Sequence, residues 1–335
     1  GLGPKRPDTG LIGPATGMGL HSSTPGASPA TLRWVLLATM ATWGLNLPVM
    51  KLLLPVFGTL GTSVLRMVSG CVLLSAVTWW GHRRWPRLDA RQWGALALCG
   101  AMMVYANQIM LMQGMRRTTA TNAALIMALN PLLSSLLAAA TLRVPISGVR
   151  WLGLALGFGG VAVVILHRPA VALGDGGLGD LLVLGSVVMW VAGGVMVQRL
   201  ARTGSDPAAA PGGHFAKVGP MSSDTVSWGL NMAGTAMLIL HMALSGGTTP
   251  APGATVTPAL VALLVASGFL ATALGGLVWN RAVVRLGVSH VSLYVYWVPI
   301  FGVTFSMLLL GEPVTAWHLL GLSMVLGGTW LGTRT

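Results

Sequence analysis

The chain has 335 residues, of which 54% are hydrophobic and only 8% are charged, and its mean hydropathy is +0.75. A soluble domain carries roughly 25% charged residues on its wetted surface, so this composition excludes a water-soluble protein and indicates a lipid environment. The net charge of +13 comes from basic residues scattered through short connectors. They form no stripe that could follow a phosphate backbone, so we expect no nucleic-acid partner.

The first thirty residues are rich in Gly, Pro, Ser and Thr and contain no apolar run of signal-peptide length. We expect residues 1–30 to form a disordered cytoplasmic tail. Met18 offers an alternative start, which leaves open whether residues 1–17 belong to the natural protein.

Ten later segments are long and apolar enough to cross a bilayer, which requires about 20 mostly apolar residues per helix. The predicted fold is therefore an all-α membrane protein with ten transmembrane helices. The predicted spans are 31–53, 59–80, 93–114, 119–141, 148–167, 179–198, 225–245, 257–279, 288–310 and 314–333.

The distribution of basic residues predicts the orientation of these spans. If the N-terminus is cytoplasmic, fifteen of the twenty Lys and Arg residues fall on the inner side and three fall on the outer side. Cytoplasmic loops carry the excess of Lys and Arg. The sequence therefore predicts a multi-pass protein of the bacterial inner membrane with both termini in the cytoplasm.

An internal repeat relates the two halves. Residues 121–160 and 289–328 align without a gap at a spacing of 168 residues. The prolines and glycines that match are Pro131 with Pro299, Pro145 with Pro313, Gly153 with Gly321, Gly159 with Gly327, and Gly160 with Gly328. Each repeat would hold five helices, an odd number, so the second copy must enter the membrane from the opposite face. We expect repeats at 31–167 and 168–333, with 201–224 as a cytoplasmic linker loop in the second.

Several motifs resemble the drug/metabolite transporter superfamily in its EamA-type branch. They are Trp43-Gly44-x-Asn46-x-Pro48-x-x-Lys51, Arg66 in the second span, Ala123-Ala124-Leu125 before Asn130-Pro131, and Leu310-Gly311-Glu312-Pro313 followed by Gly321 and Gly327. The resemblance implies a secondary transporter that exports a small metabolite, either an amino acid or a drug-like amphiphile, by alternating access. One departure is Val144, preceded by Arg143, where the family usually has the glutamate that Glu312 provides in the second repeat.

The candidate substrate-binding residues are polar or aromatic side chains at membrane depth. They are Trp43, Asn46, Arg66, Asn130, Trp190, Tyr294, Tyr296 and Trp297. A buried amide without a partner costs about 2–7 kcal/mol, and a buried charge costs more, so each needs a partner in the protein or in a substrate. Helix packing or lipid contact is the alternative for every one of them. Gln108, Asn107 and Asn122 are weaker candidates, and Lys51 is expected to reach the outer water.

The sequence gives little support for a metal site, a cofactor or an enzymatic activity. No His, Cys, Asp or Glu residues have metal-ligand spacing, so we expect no metal, cofactor or catalytic residue, and structural or solvated roles for Glu312 and the histidines. A nucleotide-sugar carrier or lipid flippase of the same fold is the alternative function, and a membrane-embedded lipid-modifying enzyme is disfavoured. The expected partners are the bilayer and a small-molecule substrate, with a monomer or weak homodimer. Close glycines at 153, 157, 328 and 332 are expected to pack within the monomer.

Overall fold

The computed structural model describes residues 29–83, 85–142, 147–167, 177–203, 221–247, 249–286 and 294–333. Within these ranges the chain folds into helices joined by short connections. The helices are α1 (Pro29–His82), α2 (Ala90–Gly100), α3 (Asn107–Arg117), α4 (Ala120–Met127), α5 (Asn130–Leu142), α6 (Gly148–Leu166), α7 (Leu178–Thr203), α8 (Ser223–Leu244), α9 (Pro258–Ser267), α10 (Gly275–Leu286), α11 (Trp297–Leu310) and α12 (Ala316–Thr333). Two π-helical segments connect α2 to α3 (Ala101–Ala106) and α9 to α10 (Gly268–Leu274).

Five helices in the described part of the chain are long and apolar enough to cross a membrane, and shorter apolar helices accompany them. The prediction of an all-α membrane protein is thereby confirmed. The longest candidate, Thr31–Gly81, lies in α1 and has two arms, because Gly58 interrupts the helix with a φ of 69°. Only glycine adopts this conformation without steric cost. The break at Gly58 separates the two spans predicted at 31–53 and 59–80.

Local sequence signals begin several helices. Asp89 and Gln92 form a reciprocal capping box at the start of α2. Ser147, Ser222 and Thr257 accept from backbone N–H groups at the starts of α6, α8 and α9. These caps satisfy N–H groups that would otherwise lack a partner at a helix end.

A close crossing between α6 and α12 has glycine on both sides. A methyl group on Gly153 would lie 2.6 Å from the carbonyl oxygen of Gly328, and one on Gly160 would lie 2.6 Å from that of Gly321. Positions rise along α6 while their partners fall along α12, so the two helices are antiparallel. As predicted, these glycines pack within the chain.

The helix bounds recur at the spacing of 168 residues that relates the halves in the sequence. Residues 101–106 and 269–274 are both π-helical. Residues 90 and 258 both begin a helix. The correspondence at 168 residues therefore extends beyond residues 121–160 and 289–328, where matching prolines and glycines reveal it.

Several sequence predictions fall outside the described residues. The predicted tail 1–30 does so except for residues 29 and 30, which begin α1. Within the predicted linker 201–224, the described residues 201–203 end α7 and 223–224 begin α8. Arg143 and Val144, where the family motif departs, also lie outside the described part.

Candidate functional site

A buried arginine lies at the centre of the candidate site. Arg66, in the second arm of α1, is 2% exposed. Its Nε donates to Ser267 Oγ at 2.9 Å, its Nη2 to Asn46 Oδ1 at 3.2 Å, and its Nη1 to Gln108 Oε1 at 3.3 Å. Nη1 also lies 3.3 Å from Met50 Sδ. We call Asn46, Met50, Arg66, Gln108 and Ser267 the arginine cage.

The Arg66 guanidinium donates its hydrogen bonds to neutral groups. Within the described ranges, no carboxylate lies at ion-pair distance from Arg66, and the three oxygens of the cage belong to two amides and a hydroxyl. Arginine remains protonated at any accessible pH. The cage solvates the cation without neutralising it, so the site keeps a net positive charge at membrane depth.

A small cavity adjoins the cage. It has a volume of about 60 Å³ and lies between the first arm of α1 and the helix that runs from α9 into the second π segment. Asn46 and Ser267, which both bind Arg66, also line the cavity. The remaining lining residues are Thr42, Leu45, Val49, Leu263, Ala266, Leu270 and Ala271. Although Asn46 and Ser267 border it, the wall of the cavity is almost entirely apolar, which suits the apolar part of a small molecule whose polar end lies toward the cage.

Trp43 lies near the same cavity and is held by the second π segment. Its Nε1 donates to the carbonyl oxygen of Ala271 at 2.9 Å, and its ring lies 5.7 Å from that of Trp279. A methyl group on Gly275 would lie 2.4 Å from Trp43 Nε1, so this indole position requires glycine there. The indole therefore has a fixed orientation in the first arm of α1.

The other predicted site residues lie elsewhere. Asn130 begins α5, where the chain breaks after α4, and its Oδ1 accepts from Ser134 Oγ at 3.3 Å. Tyr294 packs against a small cluster around Leu36 and Ala282. Trp190 and Trp297 are 41% and 44% exposed, and Tyr296 is half-buried. The structure thus brings together Trp43, Asn46 and Arg66.

Sequence reasoning missed part of the cage. The sequence indicates the depth of Gln108 in its predicted span but not the direction of its side chain, so Gln108 was only a weaker candidate. Ser267 carried one signal, a hydroxyl at the end of the otherwise apolar helix α9. Met50 carried none, because methionine is an ordinary residue in an apolar span.

A second polar cluster holds the turn between α3 and α4. Glu312 accepts from the backbone N–H groups of Ala120 and Thr121, at 2.9 and 2.8 Å, and from Thr121 Oγ1 at 2.7 Å. Lys51 Nζ donates to the carbonyl oxygens of Met115 and Thr118, at the end of α3. Glu312 is thus a helix cap, and Lys51 does not simply extend to the outer water as predicted. The negative charge of Glu312 at the start of α4 and the positive charge of Lys51 at the end of α3 both interact favourably with the dipoles of these helices.

The described side chains hold no group of three or more His, Cys, Asp or Glu residues that could bind a metal ion. Cys71 and Cys99 are buried free thiols. The polar groups at membrane depth therefore provide hydrogen bonds and one fixed positive charge. The fold is that of an all-helical protein with several helices long and apolar enough to cross a membrane.

Comparison with known proteins identifies the class more closely. The EamA-like transporter family matches residues 32–166 and 177–334. The chain is 31% identical over 303 residues to a probable terminal-alkyne amino-acid exporter of Streptantibioticus cattleyicolor, covering 90% of this chain and 93% of that protein. It is 24% identical over 231 residues to the uncharacterized transporter YyaM of Bacillus subtilis, covering 68% and 69%.

A solved crystal structure has the same fold, with a TM-score of 0.58 at 17% identity over 90% of this chain and 95% of the other. The chain belongs to the EamA-like transporter family. It is therefore a membrane transporter and not an enzyme, as the sequence predicted.

Proposed function

We propose that this protein is a secondary exporter of a small amphiphilic metabolite, such as an amino acid, and that it works by alternating access in a bacterial inner membrane. The observation that carries the proposal is the position of the arginine cage. Asn46, Arg66 and Gln108 belong to the first half of the chain, whereas Ser267 belongs to the second. A site shared by two halves opens to either side when the halves move against each other.

The helix bounds support a ten-helix inverted repeat with halves at 31–167 and 168–333. Two glycine contacts between α6 and α12 exchange under the spacing of 168 residues. Gly153 contacts Gly328, while their counterparts Gly321 and Gly160 contact each other. Contacts that exchange in this way are expected from a two-fold axis. Because α6 and α12 are antiparallel, that axis crosses the helices, as it does in inverted-repeat carriers.

The direction and the cargo are supported by different observations. The relative at 31% identity is named a probable amino-acid exporter. The fifteen-to-three distribution of basic residues favours cytoplasmic termini. The cage and the Trp43 indole together offer polar and aromatic contacts, which suit an amphiphile. A nucleotide-sugar or lipid carrier of the same fold remains the alternative.

The test is accumulation of labelled compounds in a host strain with and without the chain. The panel contains proteinogenic amino acids, terminal-alkyne amino acids and toxic analogues, and growth resistance is scored in parallel. We expect lower accumulation of at least one amino acid when the protein is present. Unchanged accumulation of the whole panel, at normal protein abundance in the membrane, would contradict the proposal. Movement of a nucleotide sugar or lipid instead would favour the alternative.

A further inference from the structure

The crossing that contains Arg66 has a counterpart in the other half of the protein. A methyl group on Gly268 would lie 2.3 Å from the carbonyl oxygen of Arg66, and one on Gly100 would lie 2.9 Å from the backbone nitrogen of Gly234. Gly100 and Gly268 are 168 residues apart, and so are Arg66 and Gly234. The two crossings are therefore equivalent, and both depend on backbone approach at a glycine.

Three polar positions of the cage have no equivalent side chain in the counterpart. At the spacing of 168 residues, Arg66 corresponds to Gly234, Gln108 to Gly276, and Ser267 to Cys99. The equivalent crossing thus forms without an arginine, an amide or a hydroxyl at these positions. The helices at the counterpart crossing therefore pack without such a cage, and of the two crossings only the first holds a buried cation among its described residues.

The donors of Arg66 are arranged for a planar anion. The guanidinium has five N–H donors in a fixed fork, which matches a carboxylate with two parallel hydrogen bonds. Its present acceptors on the Nη side are two amide oxygens and a thioether sulfur. A charged oxygen is a stronger acceptor than either. Asn46 borders the cavity and binds Nη2 at 3.2 Å, whereas Arg66 itself does not line the cavity. Displacement of this amide would therefore give a ligand in the cavity access to Nη2.

We propose that the arginine cage binds the carboxylate of the transported substrate, an inference that rests on the proposed function of the same site. The carboxylate replaces Asn46 Oδ1 and Gln108 Oε1 on the guanidinium, while Ser267 Oγ keeps Nε in position. One carboxylate neutralises one guanidinium. A phosphate ester would leave excess negative charge at membrane depth, which is costly, and a cavity of about 60 Å³ suits the smaller group.

The experiment measures ligand binding by the purified full chain in nanodiscs, by thermal shift and by titration calorimetry. Matched pairs of probes differ only in the carboxylate: leucine and leucinamide, phenylalanine and phenylalaninamide, isovalerate and isovaleramide. Inorganic phosphate and phosphoserine are separate arms. We expect at least one acid to bind about tenfold more tightly than its amide, because a charged hydrogen-bond pair has no equivalent in the amide.

The variants separate a binding role from a structural one. Arg66→Gln should reduce the preference for the acid to within about twofold, and Ser267→Ala should weaken acid binding while leaving the amide unchanged. Arg66→Lys keeps the charge and loses the fork, and its acid preference should be intermediate. The matched control is Asn231→Ala on α8, whose amide donates to Ser227 O away from the cage. It should keep the wild-type preference.

Each contrary result has a defined meaning. Equal binding of acid and amide, acid preference retained in Arg66→Gln and Arg66→Lys alike, or binding of phosphate in place of every carboxylate would overturn the inference. Absence of binding by all three acids would do the same. Export of an amino acid with no acid preference leaves the proposed function intact, whereas acid binding without export removes the function and keeps the carboxylate site.

Discussion

Alanine at Gly160 is expected to destabilise the protein by separating α6 from α12. The added methyl carbon would lie 2.6 Å from the carbonyl oxygen of Gly321, a backbone atom that cannot rotate away. Ordinary carbon–oxygen contacts lie at about 3.3–3.6 Å, so the helices must separate by roughly 0.7–1 Å. A gap of that size removes about a quarter to a half of the dispersion energy of each contact it opens.

We therefore expect Gly160→Ala to lower the free energy of unfolding by about 1–3 kcal/mol, the usual range for overpacking. The measurement is the midpoint of thermal unfolding in detergent. Gly194→Ala is the control, because a methyl group there meets no atom within 4 Å and alanine favours the helix. Gly321→Ala perturbs the same contact, so the double variant should cost less than the sum of the two single variants. Equal stability of Gly160→Ala and Gly194→Ala would refute the close packing of these helices.

Three further predictions concern the site, the topology and the α3–α4 turn. Arg66→Gln should abolish export at near-normal membrane abundance, because it removes the charge that binds the substrate carboxylate, with Asn231→Ala as control; a parallel fall in abundance would mean a structural role. With Cys71 and Cys99 replaced, an impermeant maleimide should label a cysteine at exposed Thr255 from outside and one at exposed Arg87 only after the membrane is opened; the reverse pattern would contradict the orientation. Glu312→Ala should lower stability by about 0.5–2 kcal/mol as a lost helix cap, with Glu312→Gln intermediate in thermal unfolding; an unchanged midpoint would contradict the capping role.

The helices could be predicted from the sequence because their signals are local. Apolar length, caps such as Asp89 and the matching glycines all act within one or two turns. The break between α4 and α5 also has a local cause, because Pro131 lacks the N–H group that would continue α4. These features depend on neighbours along the chain, which the sequence displays directly.

In a helix that is apolar on all sides, the neighbouring sequence does not determine which way a given side chain points. Trp190 and Trp297 lie near the middle of their predicted spans, but these spans are apolar on all sides, so depth alone does not distinguish a cavity wall from a lipid-facing surface. Arg66 and Ser267 are 201 residues apart, and Glu312 caps a helix 192 residues away. Such pairs follow from the packing of helices, which no local pattern specifies. The π segments likewise have no distinct sequence signal.

The titratable residues of the spans bear on the energy source of export. Carriers that move protons usually do so through a buried Asp, Glu or His at the midplane. The middle thirds of the predicted spans contain none of these residue types, and the positive charge of the arginine cage does not titrate. The nearest exception is His241 toward the end of α8, whose Nδ1 lies 3.1 Å from the Tyr105 hydroxyl. Proton-linked export is the expectation from family resemblance, but these residues favour export driven by the substrate gradient alone.

This prediction is tested in liposomes that contain the purified protein and a lumenal pH dye. A substrate with no ionisation change in the working range should show counterflow without movement of protons. His241→Gln is the informative variant, since it removes the one described histidine that pairs with a side chain in the π segments. If the wild type moves protons against their gradient and His241→Gln does not, coupling passes through the Tyr105–His241 pair. Proton movement that persists in His241→Gln would show that a route exists without any buried titratable group at the midplane, and the reasoning from charges would fail.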